Sequence, residues 1–410
     1  MATQIFTNIS SLANTRMDSG FVRGDELAIL PSIKNAFIII EDDTIVEFGN
    51  MESFRFRDGK NSVAMNTIVL PCWCDSHTHL VFAASREEEF IDKIKGLSYV
   101  EIAARGGGIL NSATKLNATS ADELFNSAWG RLKEISKQGT GAIEIKSGYG
   151  LSLEGELKML RVIKKLKEKS SLKIKSTFLG AHTFPFEYKE NHHKYIDMII
   201  NEMLPVIANE KLADYIDVFC EKGFFSAEEM KTICEAGKKY GLKPKLHVNQ
   251  LNSIGGIETG ISLNALSLDH LETLTEKEIE LLGKYKGAST LLPSAAFFLR
   301  MPLQPARSLI NAGAAATLAS DYNPGSSPSG NMNFVISLAC IQMKMLPEEA
   351  INAATINGAN AMGIENDYGS ISVGKKANLI FTKPAHSLAY LPYSFGSNLI
   401  DKVMISGSFI

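Results

Sequence analysis

Between residues 68 and 365, short apolar runs alternate with helical patterns, and this alternation limits the possible folds more than any other feature of the chain. Eight runs read as strands: Thr67–His77, Ala142–Lys146, Ser176–His182, Ile216–Glu221, Lys245–Asn249, Leu268–Leu271, Ala288–Leu292 and Ala316–Asp321. Helix starts fall between them. Ser226-Ala-Glu-Glu229 and Thr275-Glu-Lys-Glu278 fit the capping box, in which a hydroxyl and a carboxylate satisfy the free N–H groups of a first helical turn. Pro347 suits the first turn of a helix carrying Ala350, Ile351 and Ala354. Strands that alternate with helices build βα units and a parallel sheet. Eight of them predict an α/β protein with a (β/α)8 barrel, a fold of about 250 residues or more. The barrel is expected over residues 68–365. The flanking segments, 1–67 and 366–410, are rich in strand signals and are expected to join as one small second domain. Ala36–Ile40 and Thr44–Phe48 read as a hairpin about Glu41-Asp-Asp43, and Ser370–Val373, Asn378–Phe381 and Lys402–Ile405 have strand character.

Charge and composition remove several classes of partner. Forty-two basic against 45 acidic residues leave a net charge of −3, which favours neither nucleic acid nor an anionic membrane. No segment reaches the roughly 18 apolar residues of a membrane span. The N-terminus Met1–Phe6 shows no basic region followed by an apolar core, so no secretory signal is expected. Five cysteines, an odd number in a long chain, read as reduced thiols. A cytoplasmic protein is expected.

The placement of polar residues carries the chemistry. His77, His79, His182, Glu221, His247, His270 and Asp321 all fall at the C-terminal ends of predicted strands, the face on which barrel active sites are built. Five of the chain's eight histidines occupy such positions. His77 and His79 are two apart in an extended segment, so their side chains project to one side. With His247 and Asp321 they form a donor set of three nitrogens and one oxygen, suited to a zinc or iron ion.

Pro71-Cys-Trp-Cys-Asp-Ser-His-Thr-His79 resembles the first-strand motif of the amidohydrolase superfamily. Within it the chain resembles the imidazolonepropionase family, through Lys146-Ser-Gly-Tyr-Gly-Leu151, Phe178-Leu-Gly-Ala-His182, Asp217-Val-Phe-Cys-Glu221, Leu268-Asp-His-Leu-Glu272 and Ala319-Ser-Asp-Tyr-Asn-Pro-Gly-Ser-Ser327. The resemblance implies hydrolysis of the cyclic amide C–N bond of 4-imidazolone-5-propanoate to N-formimidoyl-L-glutamate, in histidine degradation. It also implies a β-sandwich from the two chain ends, one zinc or iron ion per chain, a small-molecule substrate carrying a carboxylate, and a homodimer. Carried over by residue, His77, His79, His247 and Asp321 are the metal ligands. Arg86, Tyr149, His182, Gln250, Asn323, Gly325 and Ser326 fall on substrate positions, Gln250 standing where some members carry glutamate. His270 and Asp321 are the candidate catalytic groups: His270 to stabilise charge on the carbonyl oxygen or hold the water, Asp321 to move its proton to the departing nitrogen. Sequence alone does not divide the proton transfers between them.

Competing readings are another amidohydrolase, a deaminase or cyclic amidase, and a non-catalytic barrel. The complete ligand set argues against the non-catalytic barrel, and Arg86, a partner for a substrate carboxylate, favours the imidazolonepropionase reading over another amidohydrolase. Glu221 leaves a second bridged metal possible. Other residues take plainer roles: His192-His193 and the cluster Lys164, Lys165, Lys167 and Lys169 read as solvated surface, and Cys72 and Cys74 as packing. Gly106–Gly108, with no P-loop Lys-Ser/Thr after it, reads as an active-site loop rather than a phosphate cradle.

Overall fold

Sixteen strands in two sheets organise the computed structural model, which describes residues 3–97, 101 and 107–410. The chain starts in the smaller domain with β1 (Thr3–Ala13), β2 (Ser32–Glu41), β3 (Thr44–Asn50), β4 (Lys60–Val63) and β5 (Ile68–Pro71). It then enters the barrel through β6 (Trp73–Asp75), β7 (Thr140–Lys146), β8 (Lys173–Ala181), β9 (Tyr215–Cys220), β10 (Lys243–Val248), β11 (Ser267–His270), β12 (Ala288–Leu291) and β13 (Ala316–Leu318). It returns through β14 (Leu379–Thr382), β15 (Ile400–Ile405) and β16 (Ser408–Phe409).

The strands β6 to β13 pair in chain order, every pair parallel. Segments just beyond the last and first strands complete the ring. The Asp321 N–H donates to the His77 carbonyl (3.0 Å) and the His79 N–H to the Tyr322 carbonyl (2.9 Å). Barrel closure and the candidate ligands therefore share one stretch of backbone. The expected helix starts are present: Ser226 with Glu229 and Thr275 with Glu278 form capping boxes, and Pro347 opens the helix Pro347–Ala354.

The two ends of the chain share one sheet in the order β16-β15-β14-β5-β1-β2-β3, with β4 alongside β1. Its apolar cluster unites Phe6, Ile9 and Leu12 from the start of the chain with Leu379, Phe381 and Met404 from its end. The hairpin about Asp42-Asp43 forms as read, pairing Glu41 with Thr44. Two strand expectations are corrected. Thr67–His77 is not one strand: the Cys72 N–H donates to Asn378 in the end sheet, whereas the Trp73 N–H donates to Gly139 in the barrel. The chain changes sheets between neighbouring residues, and Pro71, with no N–H to give, precedes the switch. Ser370–Val373 is not a ladder strand, making a single bridge from Ile371 to Thr15.

Lys165 and Lys167 pair with Asp122 and Asp214 on the solvent side of a helix that buries Leu160, Ile163 and Leu166. His192 bonds Glu229, His193 is exposed beside Asp197, and Cys72 and Cys74 are buried. Gly106 lies outside the described residues; Gly107 caps and Gly108 opens the helix Gly108–Ala118. Among the described residues no helix is long and apolar enough to cross a membrane.

Asp214 pins the start of β8 to the turn before β9. It accepts from the Ser176 N–H (3.0 Å) and lies 3.1 and 3.2 Å from Lys175 and Lys167. Burial pushes its pKa up, but these donors outweigh burial and hold the carboxyl below its usual value. A depressed pKa stabilises the fold fully above the unfolded value near 3.9, and that contribution is lost as pH falls through the folded value. Asp214→Asn is expected to cost about 1 kcal/mol at pH 7 in denaturant unfolding, the gap narrowing below about pH 3.9. An equal gap at pH 3 and pH 7 would assign the effect to packing.

Candidate active site

Two of the strand-end histidines, His77 and His247, are aimed by a carboxylate at the ring nitrogen that faces away from the cluster. His77 Nδ1 lies 2.7 Å from Asp269 Oδ2, and His247 Nδ1 lies 2.7 Å from Asp217 Oδ2. A carboxylate at Nδ1 fixes the tautomer that leaves Nε2 bare and turned inward. There His79 Nε2 and His247 Nε2 are 3.3 Å apart, and Asp321 Oδ1 lies 3.6 Å from His77 Nε2 and 3.7 Å from His79 Nε2. Burial first, then the neighbouring imidazoles and the Lys146 ammonium, hold His77, His79 and His247 well below the usual histidine pKa. The rings are thus neutral, the state a metal ligand requires. His77 Nε2 is buried with no hydrogen-bond partner. An unsatisfied buried nitrogen among converging lone pairs fits a divalent cation.

Backbone geometry turns these groups toward the axis. His270 and Asp321 have φ of +88° and +53°, left-handed values that non-glycine residues rarely adopt. Such conformations persist where the surroundings enforce them, commonly at functional sites. Burial lifts the Asp321 carboxyl to about 6, opposed mainly by the nearby His270. Burial pulls His270 down, but Glu272, 3.3 Å away, outweighs it and raises the ring to about 8. The two shifts favour a cationic imidazole beside an anionic carboxylate.

The cluster forms the floor of a cavity of about 540 Å³, whose walls include Arg86, Tyr149, His182, Gln250, Asn323, Gly325 and Ser326. All the expected site residues are thus brought to one place or its rim. Arg86 is held by a bond from Nε to Ser112 Oγ (2.8 Å) and lies 5.8 Å from the Tyr149 ring centre, and its buried Nη2 has no partner. A Cβ on Gly325 would come within 2.5 Å of Arg86 Nη1, so this position must be glycine for the guanidinium to lie across it. The turn carrying Tyr149 is held by Glu156, which accepts from the N–H groups of Gly148, Gly150 and Leu151. His182 is tied to the Gly148 carbonyl (2.9 Å) and stacks on His79, and burial keeps it neutral, down to about 4.

Asn323, on the cavity wall, also organises its own loop. Its Oδ1 accepts from the N–H groups of Gly325 and Ser326 (2.8 Å each) and its Nδ2 donates to Ser326 Oγ (2.8 Å), so its side chain shapes the loop. Ser326 Oγ in turn donates to Asp321 Oδ2 (3.3 Å), orienting that carboxylate. Glu221 accepts from the Leu251 and Asn252 N–H groups and lies outside the converging histidine and aspartate groups. Sequence reading missed Asp217 and Asp269 as the anchors of His247 and His77. Their signal was present: charged residues recur inside strands that should be apolar, at Glu144, Lys146, Asp217, Lys245 and Asp269.

A closed parallel barrel with converging imidazoles and a carboxylate on its C-terminal rim defines the class of metal-dependent barrel hydrolases. Residues 68–410 match the amidohydrolase family. Imidazolonepropionase of Flavobacterium johnsoniae is 58% identical over 408 residues, covering 99% of each chain. Its counterpart in Christiangramia forsetii is 54% identical over 410 residues, covering all of both. Among solved structures, guanine deaminase of E. coli superposes with a TM-score of 0.73 at 14% identity, covering 100% of this chain and 99% of that one. Atrazine chlorohydrolase of Arthrobacter aurescens, solved with zinc, gives 0.72 at 14%, covering 99% and 94%. At that identity the two structures speak for the fold alone. The chain belongs to the amidohydrolase family and, within it, to the imidazolonepropionases.

Proposed function

We propose that the protein hydrolyses the cyclic amide C–N bond of 4-imidazolone-5-propanoate, giving N-formimidoyl-L-glutamate in histidine degradation. Water adds to the ring carbonyl carbon, the C–N bond breaks, and the departing nitrogen takes a proton. The observation that carries this reading is one cavity holding both the imidazole–carboxylate cluster and a half-buried arginine whose buried Nη2 has no partner, a site for a ring that bears a carboxylate. One zinc or iron ion per chain would be held by His77, His79, His247 and Asp321; such an ion lowers the pKa of bound water from 15.7 toward roughly 7. Asp321, ionised at neutral pH, takes the proton of the water and passes it to the ring nitrogen. His270, cationic beside Glu272, donates to the carbonyl oxygen as negative charge develops there. Arg86 and Tyr149 hold the propionate, while His182, Gln250 and the Asn323–Ser326 loop border the ring.

Incubation of the purified protein with imidazolone propionate should abolish the ultraviolet absorbance of the ring. An unchanged spectrum with fully metal-loaded protein would reject this substrate. Arg86→Lys is expected to raise KM about tenfold or more and to lower kcat, because lysine cannot bond both carboxylate oxygens in the planar fork that arginine offers. Kinetics indistinguishable from the parent would reject the clamp and with it the case for an anionic substrate. Family membership also supports a homodimer, and the five unpaired cysteines support a reducing, cytoplasmic setting.

A further inference from the structure

Beneath the ligand cluster lies a bed of buried charge that the catalytic reading does not use. Lys146, from β7, has no exposed side-chain surface. Its Nζ lies 2.7 Å from Glu144 Oε1, 2.9 Å from Asp217 Oδ2 and 3.7 Å from Asp269 Oδ2. Those two aspartate oxygens are the same atoms that receive His247 Nδ1 and His77 Nδ1. One ammonium therefore reaches both carboxylates that aim two separate imidazoles. Lys245 closes the bed from below, 3.1 Å from Glu144 Oε2 and donating to the Ala361 carbonyl.

We infer that Lys146 is a positioning residue for the metal site: by bridging Asp217 and Asp269 it fixes the spacing and orientation of His247 and His77. Two features of the geometry require such a bridge. The aspartates come from strands separated by β10, with no backbone bond between them to set their distance. Each aspartate oxygen, moreover, is bonded to an imidazole at a place where its side chain has no exposed surface. A buried carboxylate is costly unless paired, and among the described residues Lys146 is the cation within 4 Å of both. Coordination partners behind metal-bound histidines typically alter metal affinity by 10–100-fold.

The inference rests on the metal reading above, and the experiment separates the two. The probe is cobalt(II), loaded into the full-length protein, with the visible absorption spectrum and the rate of cobalt loss to excess chelator as readouts. Lys146→Met keeps the length of the side chain without its charge. It is expected to bind one equivalent of cobalt at saturation, with an altered spectrum and release about tenfold or more faster. An unchanged spectrum and release rate, with only a lowered Tm, would make Lys146 a purely structural residue and overturn the inference. Slower release would overturn it too, because it would show that Lys146 acts chiefly by repelling the ion. If Lys146→Met does not fold, the pair Lys146→Met with Glu144→Gln removes one cation and one anion together, and the same outcomes apply. Failure of the parent protein itself to take up cobalt would instead reject the metal reading.

Discussion

His247→Ala is expected to lose most of its metal and to fall in turnover by about 10³-fold or more. Three imidazoles and one carboxylate converge here, and removing one leaves the coordination open on one side. A metal at such a site is worth several kcal/mol of transition-state stabilisation, and each 1.36 kcal/mol is a factor of ten. The substitution also takes the ring partner from Asp217, which keeps the backbone N–H of residue 247 (3.0 Å) and Lys146. Elemental analysis of the variant alongside steady-state kinetics tests this. Full metal occupancy with parental activity would remove His247 from the site.

Asp321→Asn should reduce kcat by about 10²-fold or more, the scale of a general acid–base contribution, with a smaller effect on KM. An amide of the same shape keeps the bond from Ser326 Oγ but cannot carry a proton. The sign of the pH dependence follows from burial. The carboxyl serves as a base only when ionised, and burial lifts it to about 6, so the rate of the parent rises with pH through the acid limb. The positive charge of a bound ion moves that limb to lower pH. Replacing the carboxylate by the amide should flatten it, which a kcat–pH profile of metal-loaded protein will show. Parental turnover in this variant would transfer the proton shuttle to His270, already raised to about 8 beside Glu272.

Short-range features of this protein were legible in the chain. His77 and His79 share a face because residues two apart in an extended segment must do so. Capping boxes at Ser226 and Thr275 are satisfied within four residues, and the eight-fold alternation names the barrel because a parallel strand needs a crossover before the next. The family resemblance assigned Arg86, Tyr149 and Asp321 to one site. Long-range features were not legible. The bond from His77 to Asp269 spans 192 residues, and that of His247 to Asp217 spans 30. Each depends on strand register, which no local spacing encodes. The split of Thr67–His77 at Cys72 was hidden for the same reason: an apolar run looks alike whether its hydrogen bonds go to one sheet or to two. Glu221 reached a strand end as expected, yet the fold of residues 251 and 252 claimed its oxygens. The sequence by itself determined the kind of protein, the barrel and the donor atoms, because periodicity and side-chain chemistry are local. Only the tertiary structure decided which carboxylate aims which imidazole and that one lysine serves two of them, because those are distances between strands, set by barrel closure.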